Sequence, residues 1–142
     1  MERSLKLVQC TEEYWEFVRI LRTDPRNIDG FIEHNDITVE DQKKYMEKYW
    51  KNYWICIDDT GPLGYIGEIN GDIRVCADHD VKGQGISKFM VKELLKLRPN
   101  VYAKVKIENI PSQKLFESVG FKLVEIVDYK GKLNESFKYY KP

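Results

Sequence analysis

The stretch between residues 77 and 101 constrains the fold most. Residues 73–77 and 101–107 both read as strands, and between them lie a glycine-bearing loop and a helix predicted over 86–97, with Phe89, Met90, Leu94 and Leu97 on one side. A connection of this length cannot close a hairpin, so it is a crossover joining parallel neighbours. The connections before it are short. Residues 53–57 and 63–69 read as strands around a turn at 58–62. Asn70-Gly71 is a strong two-residue hairpin signal, because both central positions of a type I′ turn take positive φ. The sheet is therefore expected to run antiparallel up to residue 77 and then take one parallel step.

The remaining elements fit around that core. Residues 5–8 form a short opening strand. Thr11 is the expected N-cap of a helix through Leu21, with Trp15, Val18 and Leu21 near helical spacing, and Asp24-Pro25 breaks it. After a loop holding Arg26, Asp29 and Gly30, a second helix starts near Thr38. Glu40 and Asp41 suit its positive first turn, and Tyr45, Tyr49 and Trp50 give it an apolar side. Beyond the crossover come a short helix over 112–118 with Gly120 as its C-cap, a strand over 121–127, a turn at Lys130-Gly131 and a last strand over 137–140. The expected class is α+β: a mixed, mostly antiparallel sheet with one parallel crossover step, flanked by helices. In open sheets ligands bind beyond the carboxyl ends of the strands where connectivity changes direction, which places a site at the parallel step.

Composition narrows the classes. A chain of 142 residues is expected to form one domain across its length. Its 23 basic and 23 acidic side chains cancel, so no global field draws it to nucleic acid or an anionic membrane. A nucleic-acid surface would have to rest on Lys92, Lys96, Lys104 and Lys106, which zero net charge disfavours. Cys10, Cys56 and Cys76 are odd in number and widely spaced, and His34 and His79 are the only histidines, so no zinc site is expected and a reducing cytoplasm is. No signal-peptide core or membrane-spanning run is present in the sequence. Most of the aromatic residues, 13% of the chain, are expected in the core or the walls of a cleft.

The chemistry is concentrated in Lys82-Gly83-Gln84-Gly85-Ile86-Ser87, between a strand and a helix. Two glycines let successive N–H groups turn inward, and the helix N-terminus adds partial positive charge. Together they form an anion cradle suited to a pyrophosphate, with Lys82 beside it. A P-loop would need GxxxxGK[ST], which is absent, and a dinucleotide fingerprint would need a third glycine where Lys88 stands.

These residues resemble the acetyl-CoA loop of the GNAT superfamily of acyl-CoA N-acyltransferases, [QR]-x-x-G-x-[GA], commonly R-G-x-G-I-[GA]. Lys82 stands at the Arg/Gln position, Gly83 and Gly85 match, and Ser87 replaces the final small residue. A second family element, N-x-x-[AS]-x-x-[LF]-[YF]-E-x-[LV]-G-F, is met by Asn109, Ser112, Leu115, Phe116, Glu117, Val119, Gly120 and Phe121 at the right spacing. The resemblance covers about residues 53–127 well and the N-terminal helices more loosely.

The resemblance implies an acetyl-CoA-dependent N-acetyltransferase acting on a primary amine of a small molecule, amino-sugar-like, or of a peptide. No nucleic-acid or membrane partner is expected, and a homodimer is an allowed assembly. Acetyl-CoA would lay its pyrophosphate on Lys82, Gly83, Gln84, Gly85, Ile86 and Ser87. Its pantetheine arm would pair with Val75, Cys76 and Ala77, and Asn109, Ser112 and Phe116 would border the arm. Phe116 holds the position where many members carry an acidic tyrosine, and phenylalanine donates no proton. The alternative class is therefore a non-catalytic, regulatory CoA-binding module. Glu68 is the candidate base, with a solvated strand residue beside a turn as its structural alternative; Asp78 and His79 are further candidates. Residues 19–41, with Arg22, Arg26, His34 and Asp36, occupy the place where the family shapes its acceptor pocket.

Overall fold

A computed structural model describes residues 4–27, 37–128 and 135–140, with 125–128 and 135–140 as backbone only. In chain order the elements are β1 (Lys6–Gln9), α1 (Trp15–Thr23), α2 (Val39–Tyr49), β2 (Tyr53–Asp58), β3 (Gly61–Ile69), β4 (Asp72–Ala77), α3 (Ile86–Leu97), β5 (Tyr102–Lys106), α4 (Ile110–Ser118), β6 (Lys122–Asp128) and β7 (Glu135–Tyr140). They form one seven-stranded sheet in the order β1-β2-β3-β4-β5-β7-β6. Every pairing is antiparallel except β4 with β5, which is the parallel step expected from the crossover.

Local chemistry explains the boundaries. Asn70 (φ 53°) and Gly71 (φ 88°) make the hairpin turn between β3 and β4. Thr38 and Asp41 form a reciprocal capping box at the start of α2. Thr11 does not cap α1 as expected: a short 3-10 turn over Glu12–Tyr14 precedes that helix, and the Thr11 hydroxyl donates to Glu13 at 3.1 Å instead. At the end of α4 the Phe121 N–H reaches the Phe116 carbonyl at 3.0 Å and the Gly120 N–H reaches Glu117 at 3.1 Å. This is the Schellman closure, and its companion apolar contact is Phe116 against Phe121, edge to face at 5.2 Å. The expected turn at Lys130-Gly131, together with Asp29, Gly30, His34 and Asp36, lies outside the described residues.

Alternate residues of the strands build two cores. Trp54, Ile66, Ile73 and Ala77 pack against α3 and α4 through Ile86, Met90, Leu94 and Phe116. Tyr53, Ile55, Tyr65 and Cys76 face the other way, against Val18 and Leu21 of α1 and Met46 of α2. Gly67 permits one close approach. A Cβ there would stand 2.5 Å from both the Asn52 carbonyl oxygen and the Tyr53 ring. Neither the main chain at Asn52, just before β2, nor a fully packed ring yields cheaply, so Gly67→Ala should cost about 1–3 kcal/mol. A urea titration checks this; an unchanged midpoint would show that β2 and β3 tolerate a wider spacing.

Candidate functional site

β4 and β5 pair only at Asp72 and Tyr102. The strands part towards their carboxyl ends, and a cavity of about 620 Å³ opens there. Val75, Cys76 and Ala77 of β4 form one wall. Lys82, Gly83 and Gly85 of the loop and Ile86 and Ser87 of α3 form the end, and Asn109 and Ser112 the side towards α4. The structure thus gathers ten of the sequence-predicted residues around one space.

The loop end has the properties of an anion site. Gly83 (φ 83°) and Gly85 (φ 80°) both hold left-handed backbone, and a Cβ at either would meet nothing within 4 Å. Their open sides leave room for a ligand to approach the main chain. Gly85 is the N-cap of α3 without any side-chain hydrogen bond. The first-turn N–H groups of a twelve-residue helix therefore carry no side-chain cap at the cavity, with Lys82 and Lys88 beside them. Asn109 does two things: its Oδ1 accepts the Ser112 N–H at 3.3 Å, capping α4, while the residue borders the cavity. Burial pushes the Cys76 thiol up to about 12, so it is protonated at neutral pH and is not a nucleophile.

Five expected site residues lie elsewhere. Glu68 is neither at the cavity nor solvated. It is 9% exposed, and its carboxylate accepts the Gly71 N–H at 2.8 Å and the Asn52 amide at 3.3 Å, with Arg98 Nε at 3.4 Å. Arg98 is the C-cap of α3 and Gly85 its N-cap, so twelve helical residues, ~18 Å, separate Glu68 from the glycine loop. Phe116 turns into the core with 3% exposure, because the Schellman contact requires it there; Leu115, one residue earlier, takes the cavity wall. Gln84 is exposed and not part of the lining. Asp78 and His79 stand beyond the end of β4, Asp78 accepting the Asp80 N–H at 3.0 Å and His79 exposed.

Sequence reading missed Asn27, Val81, Lys88, Glu108, Pro111 and Leu115 as lining residues, and it placed Arg26 in the acceptor region rather than here. Pro111 and Leu115 were legible in principle, being at i and i+4 on the helix that carries Ser112. Asn27 was not: it is 3% exposed, ties its Nδ2 to the Leu21 carbonyl at 3.1 Å, and leaves Oδ1 buried without a partner among the described residues. Among the described residues no cluster of His, Cys, Asp or Glu could hold a metal ion, and no helix is long and apolar enough to cross a membrane.

Comparison with known proteins shows the family and the fold. A family model described as an acetyltransferase (GNAT) domain matches residues 4–122. Among solved structures, spermidine N-acetyltransferase from Vibrio cholerae, in complex with CoA and spermine, superposes with a TM-score of 0.80 at 15% identity, covering 95% of this chain and 93% of that one. A domain from Methanocaldococcus jannaschii reaches 0.76 at 23% identity, covering 96% and 98%. Ribosomal-protein-alanine N-acetyltransferase from Brucella melitensis reaches 0.79 at 14% identity, covering 94% and 97%. No curated protein matches the sequence.

The placement of Glu68 gives a direct expectation. Glu68→Gln keeps the shape but weakens charge-assisted contacts at the hairpin, so stability should fall by about 1–3 kcal/mol in a urea titration. Acetyl-CoA affinity by calorimetry should stay unchanged. A pH-dependent loss of turnover without loss of stability would restore the base role.

Proposed function

The chain belongs to the GNAT acetyltransferase family, and from that premise we propose that it transfers the acetyl group of acetyl-CoA to a primary amine of a small molecule or peptide. The observation that carries the reading is the meeting of a parallel strand opening, a left-handed glycine loop and an uncapped helix N-terminus in one cavity. Acetyl-CoA, the family's donor, supplies an activated acyl group. The amides of residues 82–88 take its pyrophosphate, aided by the positive end of α3 and by Lys82 and Lys88. The backbone of Val75, Cys76 and Ala77 pairs with the pantetheine arm as an added strand. N–H groups on β4 stabilise the oxyanion as the amine attacks.

Direct attack fits the thiol chemistry. Burial holds the Cys76 thiol up at about 12, which disfavours an acyl-cysteine intermediate. Phe116 donates no proton, and none is essential, since a thiol of pKa near ~8.5 leaves tolerably as thiolate. At 14–15% identity the two named acetyltransferases share the fold and do not fix the acceptor. The three free, buried cysteines suit a reducing cytoplasm.

Two experiments test the reading. Gly83→Asp and Gly85→Asp each put a carboxylate where the pyrophosphate would lie, at a backbone conformation that costs a side chain about 1–2 kcal/mol. Both should remain folded by circular dichroism and lose acetyl-CoA binding by calorimetry; full affinity in a folded variant would remove the loop from the site. Thiol release should then be measured across a panel of amines, with intact-protein mass spectrometry before amine is added. Amine-dependent release with no acetylated protein is expected. Binding without turnover on any amine would instead mark a regulatory CoA-binding module, and an acetyl thioester on Cys76 would overturn direct attack.

A further inference from the structure

Arg26 belongs neither to the glycine loop nor to the strands and helices that frame the cavity, yet it borders the cavity from the segment after α1. Its guanidinium is held on two sides of unequal strength. Nε meets both Asp24 oxygens at 3.1 and 3.2 Å, Nη2 meets Oδ2 at 2.8 Å, and the Arg26 main-chain N–H meets Oδ1 at 2.9 Å. The remaining arm, Nη1, reaches 3.0 Å to Asp80, whose side chain is 75% exposed against 13% for Asp24. Asp80 lies in the 3-10 turn His79–Val81, directly before Lys82.

The segment beneath Arg26 is hydrogen-bonded to the end of α1. The Asn27 N–H donates to the Asp24 carbonyl at 2.9 Å, and its buried side chain holds the end of α1 through Leu21. The hydrogen bonds from the Arg26 side chain and main chain hold the Asp24 carboxyl down at about 2, so it is ionised at neutral pH. The fork is thus fixed in orientation by Asp24, while its outer arm rests on a carboxylate that water can readily replace.

We propose that Arg26 is a pyrophosphate ligand for acetyl-CoA, and that Asp80 holds its outer arm until the phosphate displaces it. The inference rests on the acetyl-CoA reading of the cavity. The arm that Asp80 gives up, Nη1, carries two N–H donors on a permanently charged group, which suits a phosphate oxygen while Nε and Nη2 stay on Asp24. The place is already positive through Lys82 and the α3 N-terminus. Cofactor binding therefore moves Arg26 from a carboxylate of the loop to a phosphate, with Asp24 as the fixed pivot. It also ties the segment after α1 to the occupied site.

The test is a double-mutant cycle read by calorimetry with acetyl-CoA, on full-length protein whose fold is checked by circular dichroism. Arg26→Gln should weaken binding roughly tenfold and flatten its salt dependence. Arg26→Lys should fall between it and the wild type. Asp80→Asn, at an exposed position, should tighten binding severalfold. In the Arg26→Gln background the same Asp80 change should alter affinity by less than about twofold, because Asp80 acts through Arg26. Equal tightening in both backgrounds would mean that Asp80 contributes only a general field, and would overturn the displacement. Dephospho-CoA keeps the pyrophosphate and should show the same loss with Arg26→Gln; if the loss vanishes, the pyrophosphate assignment is wrong. Should Arg26→Gln fail to fold, unchanged or weaker binding by Asp80→Asn alone overturns the proposal. A wild type that does not bind acetyl-CoA defeats the cavity reading and this inference together, whereas a wild type and an Arg26→Gln that bind equally defeat only this one.

Discussion

The site depends on a pin at one end of the parallel step. The Tyr102 N–H donates to the Gly71 carbonyl at 2.8 Å, and Asp72 pairs with Tyr102. From that point β4 and β5 diverge, and α3 has to run the length of the gap before the chain can return. A sheet closed along its whole length would bury the edges of both strands; one fastened at a single end presents a wall of backbone to a ligand. The pinned end is itself braced. Glu68 holds the turn through Gly71 and reaches the end of α3 through Arg98, so the hairpin and the crossover helix are joined at the end away from the opening.

The two cores share the sheet. Val75 packs with the α3 side, while Cys76, one residue on, faces α1 and α2. The strand that lines the cavity is thereby gripped from both faces, which favours a preformed wall. Two connections tie the α1 end to the cavity: Arg26, by its bond to Asp80, and the Asn27 side chain, by its hold on Leu21.

Features set by local chemistry were legible in the sequence. The bounds of α3 agree with the expected 86–97, the Asn70-Gly71 turn forms, and the parallel step follows from the length of the crossover alone. Features set by distant partners were not. Nothing near Glu68 announces Arg98, thirty residues on, and an acidic residue beside a turn reads as solvated or catalytic until its carboxylate is seen buried. Phe116 was assigned to the cofactor arm because of its place in a motif, yet that motif also encodes a helix stop whose apolar contact turns the ring inward. The insertion of β7 between β5 and β6 had no sequence signal, since strand order in a sheet is a non-local choice. Arg26 was visible as a charged loop residue, but its orientation is imposed by Asp24 and Asp80 together.

The central claim is that the opening between β4 and β5 is the acetyl-CoA site. The most direct measurement is a backbone amide NMR titration of the isotope-labelled chain with CoA. The largest shifts should fall on residues 75–77, 82–88, 109, 110 and 112, with the Glu68–Gly71 hairpin nearly silent. Saturable shifts centred on that hairpin, on β5 and β7 away from the opening, or nowhere at all would contradict the account.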